Sequence, residues 1–233
     1  MRKIKFLAVC VIAVLATTSV KAQFATGADI VSSYVWRGFP QEATKGTPNI
    51  QPYVSFTTGG LTLGSWASSS LLGNVKEVDL YATYAFSSQL ALTVTDYNWG
   101  FASPKGYFDY SKATSDHIYE ATLAYTGTEK FPISASINTM FAGADKKPSD
   151  ATKAALSTYI ELGYQISPLA KVFVGGVLGE SNAYATTAAG LTNVGIKVSK
   201  SIAITDKFSL PVYGILGANP YAGNAFFVAG ITL

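Results

Sequence analysis

The sequence predicts an all-β fold: a transmembrane antiparallel up-and-down β-barrel of twelve strands behind a cleaved signal peptide. Three observations predict it. Polar and apolar residues alternate over segments of about ten residues through most of the chain. The mean hydropathy of +0.25 with only 13% charged residues is too apolar for an ordinary soluble domain, yet no stretch beyond the leader reaches the eighteen apolar residues a helical span needs. Finally, the connections between alternating segments are short and long by turns. A soluble sheet would hide its apolar face beneath helices. Here hairpins recur to the last residue with no helix to cover them, so the apolar face is assigned to lipid and the polar face to a lumen.

Taken in order, the chain opens with a targeting segment. Arg2, Lys3 and Lys5 form a basic n-region, Phe6–Ala16 an apolar h-region, and Val20-Lys21-Ala22 a small-residue cleavage site. Residues 1–22 are therefore expected to leave as a signal peptide, with 23–233 forming one barrel domain. The net charge of +3 depends on the leader, which carries four of the 17 basic residues against 14 acidic ones. Without it the chain is slightly acidic and has no Lys/Arg cluster, which argues against a nucleic-acid partner. Cys10, the one cysteine, leaves as well, so neither a disulfide nor a thiolate metal site is expected.

Twelve strands follow: Gly27–Phe39, Asn49–Thr57, Leu61–Ser70, Val75–Phe86, Leu90–Trp99, His117–Thr126, Ile133–Phe141, Thr158–Ile166, Lys171–Leu178, Leu191–Ile202, Phe208–Gly217 and Ala225–Leu233. The hairpin at Val75–Asn98 is the clearest. Glu77, Asp79, Tyr81 and Thr83 share one face of its first strand; Val78, Leu80, Ala82, Tyr84 and Phe86 share the other, and Ser87-Ser88-Gln89 makes the turn. Other short turns are Thr58-Gly59-Gly60, Gly127–Phe131, Ser167–Ala170 and Thr205-Asp206-Lys207. Longer loops are Pro40–Pro48, Gly100–Asp116, Gly143–Ala154 and Gly179–Gly190. Short periplasmic turns opposite longer extracellular loops are the pattern of an outer-membrane barrel, and twelve strands return both termini to the short-turn side.

Aromatic residues are expected in two interfacial belts. Tyr34, Trp36, Tyr97, Trp99, Tyr119 and Phe141 fall near the outer rim; Phe56, Tyr84, Phe86, Tyr125, Tyr164 and Phe208 fall near the periplasmic one. Some residues resist the pattern. Asp96 shares parity with Leu92 and Val94, which puts it at the outer rim or on a bulge. Lys200 on the outward face requires an interfacial level. Pro52 and Pro211 each remove a ladder donor, for which bulges are expected.

The run Asp29-Ile30-Val31-Ser32-Ser33-Tyr34-Val35-Trp36-Arg37-Gly38, then Ile50-Gln51-Pro52, Glu77-Val78-Asp79-Leu80-Tyr81 and Thr93-Val94-Thr95-Asp96-Tyr97, resembles the TorF family of porin-like proteins of Gram-negative bacteria. The likeness is strongest over residues 29–98 and weaker over 104–190. It implies an outer-membrane barrel with a channel role, and says more about fold than about substrate.

Inward parity assigns Asp29, Arg37, Gln51, Glu77, Asp79, Tyr81, Glu120, Glu161, Lys171 and Lys197 to the lumen, because ionisable groups avoid the depth-dependent cost of facing lipid. Eight strands leave no pore and sixteen leave an aqueous channel, so twelve is an intermediate width. Two uses follow. One is a porin-like channel passing small hydrophilic solutes or ions, with Arg37 opposite Glu77, Asp79, Glu120 and Glu161 setting a transverse field. The other is a narrow or plugged barrel with a structural or surface-interaction role, in which Gly100–Asp116, carrying Lys105, Tyr107, Phe108 and Tyr110, folds inward or meets a partner. A lipid hydrolase is a thin third reading, resting on His117 with Ser115 two residues away. No cofactor or metal is expected, since no phosphate-binding glycine loop or His/Cys cluster exists. The expected partners are the bilayer, small hydrophilic solutes and, through Phe227, Ala229, Ile231 and Leu233, the barrel-assembly machinery.

Overall fold

A computed structural model describes residues 22–42, 46–72, 76–99, 106–111 and 114–233. The expected signal peptide lies outside them, apart from Ala22. Twelve antiparallel strands form a closed barrel: β1 Gln23–Val31, β2 Asn49–Thr58, β3 Leu61–Ser70, β4 Lys76–Ala85, β5 Leu90–Tyr97, β6 Ile118–Tyr125, β7 Ile133–Gly143, β8 Thr158–Ser167, β9 Ala170–Val177, β10 Gly190–Thr205, β11 Phe208–Asn219 and β12 Asn224–Thr232. Each pairs with its sequence neighbours. β1 closes the ring onto β12 through Asp29↔Thr232, Ile30↔Ile231 and Val31↔Gly230, and mutual backbone bonds between Ala28 and Leu233 extend the seam. Closure matters because any open edge at membrane depth would leave backbone groups without partners.

The alternation read from sequence sets the faces. Val54, Leu63, Leu80, Leu92, Val94, Leu123, Ile137, Leu162, Val174, Val198 and Leu216 all point outward and are exposed. No second layer of described chain covers them. The aromatics Phe24, Tyr84, Phe86, Tyr164 and Phe208 collect on this outer face at the short-turn end, as the periplasmic belt requires.

The inner face is close-packed by a device that parity alone does not disclose. Inward aromatics lie flat against glycines directly opposite on the neighbouring strand: Tyr81 against Gly64, Tyr213 against Gly230 and Phe226 against Gly217. A Cβ at any of these glycines would meet the ring. Small inward residues thus make room for large ones within a narrow cross-section.

Three expectations need correction. The first strand does not run to Phe39; it ends at Val31, after which the chain leaves the wall. Neither proline creates a bulge. Pairing between β2 and β3 skips Gln51 and Pro52 but resumes in the same register, and Ser201↔Pro211 sits in an unbroken register with β10. A missing donor is absorbed by an omitted bond rather than an inserted residue. Bulges occur instead within β9–β10 at Gly175/Gly176 and in the β6–β7 pairing at Tyr119/Glu120. Two small hairpins stand apart from the barrel sheet: Val35–Trp36 with Phe39–Pro40, and Lys146–Lys147 with Asp150–Ala154.

Candidate functional site

The first of these hairpins defines the site. Val35 pairs with Pro40 and Trp36 with Phe39, leaving a two-residue turn of Arg37 and Gly38. Their φ angles are +50° and +88°, the geometry of a type I′ turn. Gly38 is required twice over, since a Cβ would also collide with the Thr192 carbonyl on β10. Thr192 is the residue that the β9–β10 bulge leaves unpaired.

The turn carries Arg37 into the lumen. Its guanidinium makes a two-pronged ion pair with Glu120 on β6, at 2.6 and 2.7 Å, and donates to Asn138 Oδ1 on β7 at 2.9 Å and to the Tyr184 hydroxyl. Trp36 and Tyr159 cover it, at 4.6 and 4.9 Å from guanidinium carbon to ring centre. Planar, always charged and held by a fork, it suits this enclosed position as lysine would not.

A polar network extends around the wall from this ion pair. The Tyr97 hydroxyl on β5 donates to Glu120 at 3.1 Å, and Thr122 donates to Glu120 and Asn138. Farther round, Tyr159 donates to Glu161 at 2.6 Å, and Asn193 on β10 donates to both. Apolar packing fills the remaining space. Tyr97, Ile118, Met140, Tyr159, Val177 and Tyr184 form a buried cluster with Trp36, Phe39 and Trp99 against it. Tyr184, from the loop between β9 and β10, stacks on Trp36 at 4.9 Å. The long-loop half of the lumen is therefore largely filled.

The short-turn half is open. Among the described residues, cavities of about 780 and 400 Å³ line it, the first beside Ser134, Gln165 and Lys171, the second beside Asp29, Lys197 and Tyr213. The Tyr213 hydroxyl donates to Asp29 at 3.2 Å, and the Lys197 ammonium lies 4.4 Å from the Tyr213 ring centre. Lys171 and Lys197 are directly opposite in register, a like-charge pair that leaves this wall basic.

The ten residues assigned to the lumen fall in three places. Arg37, Glu120 and Glu161 belong to the filled network. Glu77, Asp79, Tyr81 and Gln51 line the adjoining wall of β2 and β4. Asp29, Lys171 and Lys197 belong to the open half. Glu77 and Asp79 do not pair with Arg37; they stand against each other, with Tyr34 and Trp99 beside Glu77. Arg37 arrives by a hairpin rather than by strand parity.

The aromatics of the expected outer belt divide. Tyr119 and Phe141 do face outward, but Tyr34, Trp36, Tyr97 and Trp99 are inside, where they build the plug. Tyr97 and Trp99 occupy the inward parity of β5 and its continuation, so period-two counting from Leu92 and Val94 would have found them. Asn138, Tyr159, Tyr184 and Asn193 were missed altogether; the first two and Asn193 lie at inward positions, whereas Tyr184 gives no local signal.

The loop expected to fold inward does not, as far as it is described. Tyr107 and Tyr110 pack instead on His117, whose outward-facing ring they bury completely. The ring contacts the Asp96 carboxylate through Nδ1 and the Tyr107 carbonyl through Nε2, each at 2.6 Å. Asp96 thus sits at the rim, without a bulge, as a tie for the loop. The Ser115 hydroxyl accepts from the His117 amide rather than meeting the ring, so the geometry does not assemble a nucleophile with its base.

No family model and no curated protein matches the chain, so the TorF likeness rests on the residues quoted for it. Among solved structures, a KdgM porin aligns over 89% of this chain and 98% of its own, with 9% identity and a TM-score of 0.47. The barrel assignment stands on the strand pairing itself.

Proposed function

We propose that the protein is an outer-membrane channel for small hydrophilic solutes or ions, narrowed on its long-loop side by the Arg37 hairpin. One observation carries this reading. The obstruction is a short hairpin held chiefly by an ion pair and hydrogen bonds, while the rest of the lumen keeps a polar, ionisable wall and an open vestibule. A barrel meant only as a solid post has little use for Glu77, Asp79, Lys171 and Lys197 on its inner face, since apolar filling avoids the desolvation of charge. The outward apolar band and the aromatic belt at the short-turn end support placement in a bilayer, with that end toward the periplasm.

A second reading has its own support. The buried cluster around Tyr159 and Tyr184 is packed like a protein interior, as a permanently plugged barrel would be. Conductance of the purified barrel in a planar bilayer separates the two. Discrete current steps are expected, with cation preference falling when Glu77 and Asp79 are replaced by Gln and Asn. No current at any applied voltage would establish the plug.

A further inference from the structure

Beside the hairpin lies a cavity of about 260 Å³, lined by Tyr34, Trp36, Trp66, Asp79, Tyr81 and Tyr97 together with Thr95. Its wall is almost wholly aromatic, with one carboxylate set into it. Asp79 is 5% exposed and its Oδ1 has no hydrogen-bond partner. Glu77, the next inward residue on the same strand, is 1% exposed and its carboxyl group stands against that of Asp79, with Tyr34 and Trp99 beside it. The nearest cation of the site, Arg37, is committed to Glu120, and no described Lys or Arg pairs with either acid. Two buried carboxyl groups in this condition are a strong demand for positive charge.

We infer that this cavity is a binding site for a small organic ammonium ion. The chemistry of the lining selects that class. A hard metal ion asks for six or more oxygen ligands, whereas the described residues here offer two carboxylates and several ring faces. Ring faces attract cations that shed water easily, and an alkylated ammonium does so far more readily than sodium or calcium. Trp66 supplies the strongest such face, since the Trp36 ring already holds Tyr184 and Arg37, and the carboxylates supply the charge. The ligand would lodge against the hairpin that narrows the lumen, so the site specifies which solutes reach the constriction. In that respect it rests on the channel reading.

The chain provides its own reporter. It has three tryptophans; two line the cavity, and the third, Trp99, stacks on Tyr97 at 5.0 Å. Detergent-folded protein titrated with tetramethylammonium chloride, at ionic strength held constant with sodium chloride, should show a saturable change in tryptophan emission. Asp79→Asn and Glu77→Gln, which preserve shape, should each weaken the apparent affinity at least tenfold. A linear, non-saturating response of the wild type, or an unchanged affinity in both variants, would overturn the site. So would an equal saturable response to sodium, which would make it a general cation pocket. Because emission is read without current flow, saturable binding in a barrel that does not conduct would refute the channel and leave the site standing. Conduction without saturable binding would do the reverse.

Discussion

The two halves of the lumen are made by the same twelve strands, yet one is largely packed around the Arg37 hairpin, with a cavity of about 260 Å³ left beside it, and the other holds cavities of about 780 and 400 Å³. Both obey the same alternation, with polar residues inward and apolar residues outward. In the open half the inward residues include Lys171, Lys197 and Asp29 beside hydroxylated ones, and neighbouring strands satisfy each other, as in the Thr57–Thr62 and Thr83–Thr93 hydroxyl pairs at 2.9 and 2.8 Å. In the filled half the inward residues are Tyr97, Glu120, Met140 and Tyr159, and two connecting segments enter to meet them, bringing Trp36, Arg37 and Tyr184. The difference teaches that strand pattern decides which way a side chain faces, whereas the connections decide whether the space it faces is occupied.

Three experiments bear on that contrast. The largest effect is expected from replacing Ser33–Gln41 by a flexible Gly/Ser linker. Single-channel conductance should rise several-fold, since the described obstruction on the long-loop side loses its central element; unchanged conductance would mean that the strand residues alone fill the space. Next comes Arg37→Ala. It leaves Glu120 buried without its cation, a loss of about 3–5 kcal/mol in systems where one partner of a buried pair is removed. The expected signs are a lower unfolding midpoint in detergent and faster proteolysis within 33–41, with Glu120→Gln in the same chain recovering part of the loss. Smaller still is Gly64→Ala, which drives a Cβ into the Tyr81 ring and should destabilise by about 1–3 kcal/mol as an overpacking change. Ser199→Ala, at an exposed inward position of the open half, should stay within about 0.5 kcal/mol. Equal effects from the two would dissolve the distinction between close-packed wall and open vestibule.

The fold was legible because its signal is local. Each hairpin announces its own faces, as Val75–Asn98 does, and a twelve-strand closure follows from connection lengths. The assignment of charged residues to the inner face rests on an equally local argument: charge facing lipid is penalised wherever it occurs. What stayed hidden depends on where a segment travels. Ser33–Gln41 continues the polar and aromatic texture of a strand, and only the Arg37-Gly38 pair marks a type I′ turn. Read as strand, it sent Tyr34 and Trp36 to the outer belt. The partner of that turn, Tyr184, lies nearly 150 residues away, and nothing in its neighbours announces it. His117 shows the opposite case. Asp96 sits at the rim, one of the two places its parity allows, but its contact with His117 depends on cross-strand register, which the sequence alone does not supply.

The turn at Arg37 and Gly38 is fastened on opposite sides. Arg37 grips β6 and β7, while Gly38 rests on the backbone of β10 at the bulge. It is a spoke set across a hoop. A ring of twelve strands tied across its interior in this way has its opposite walls coupled through one two-residue turn. Withdrawing the spoke would therefore do more than clear a passage: it would let the whole rim change shape.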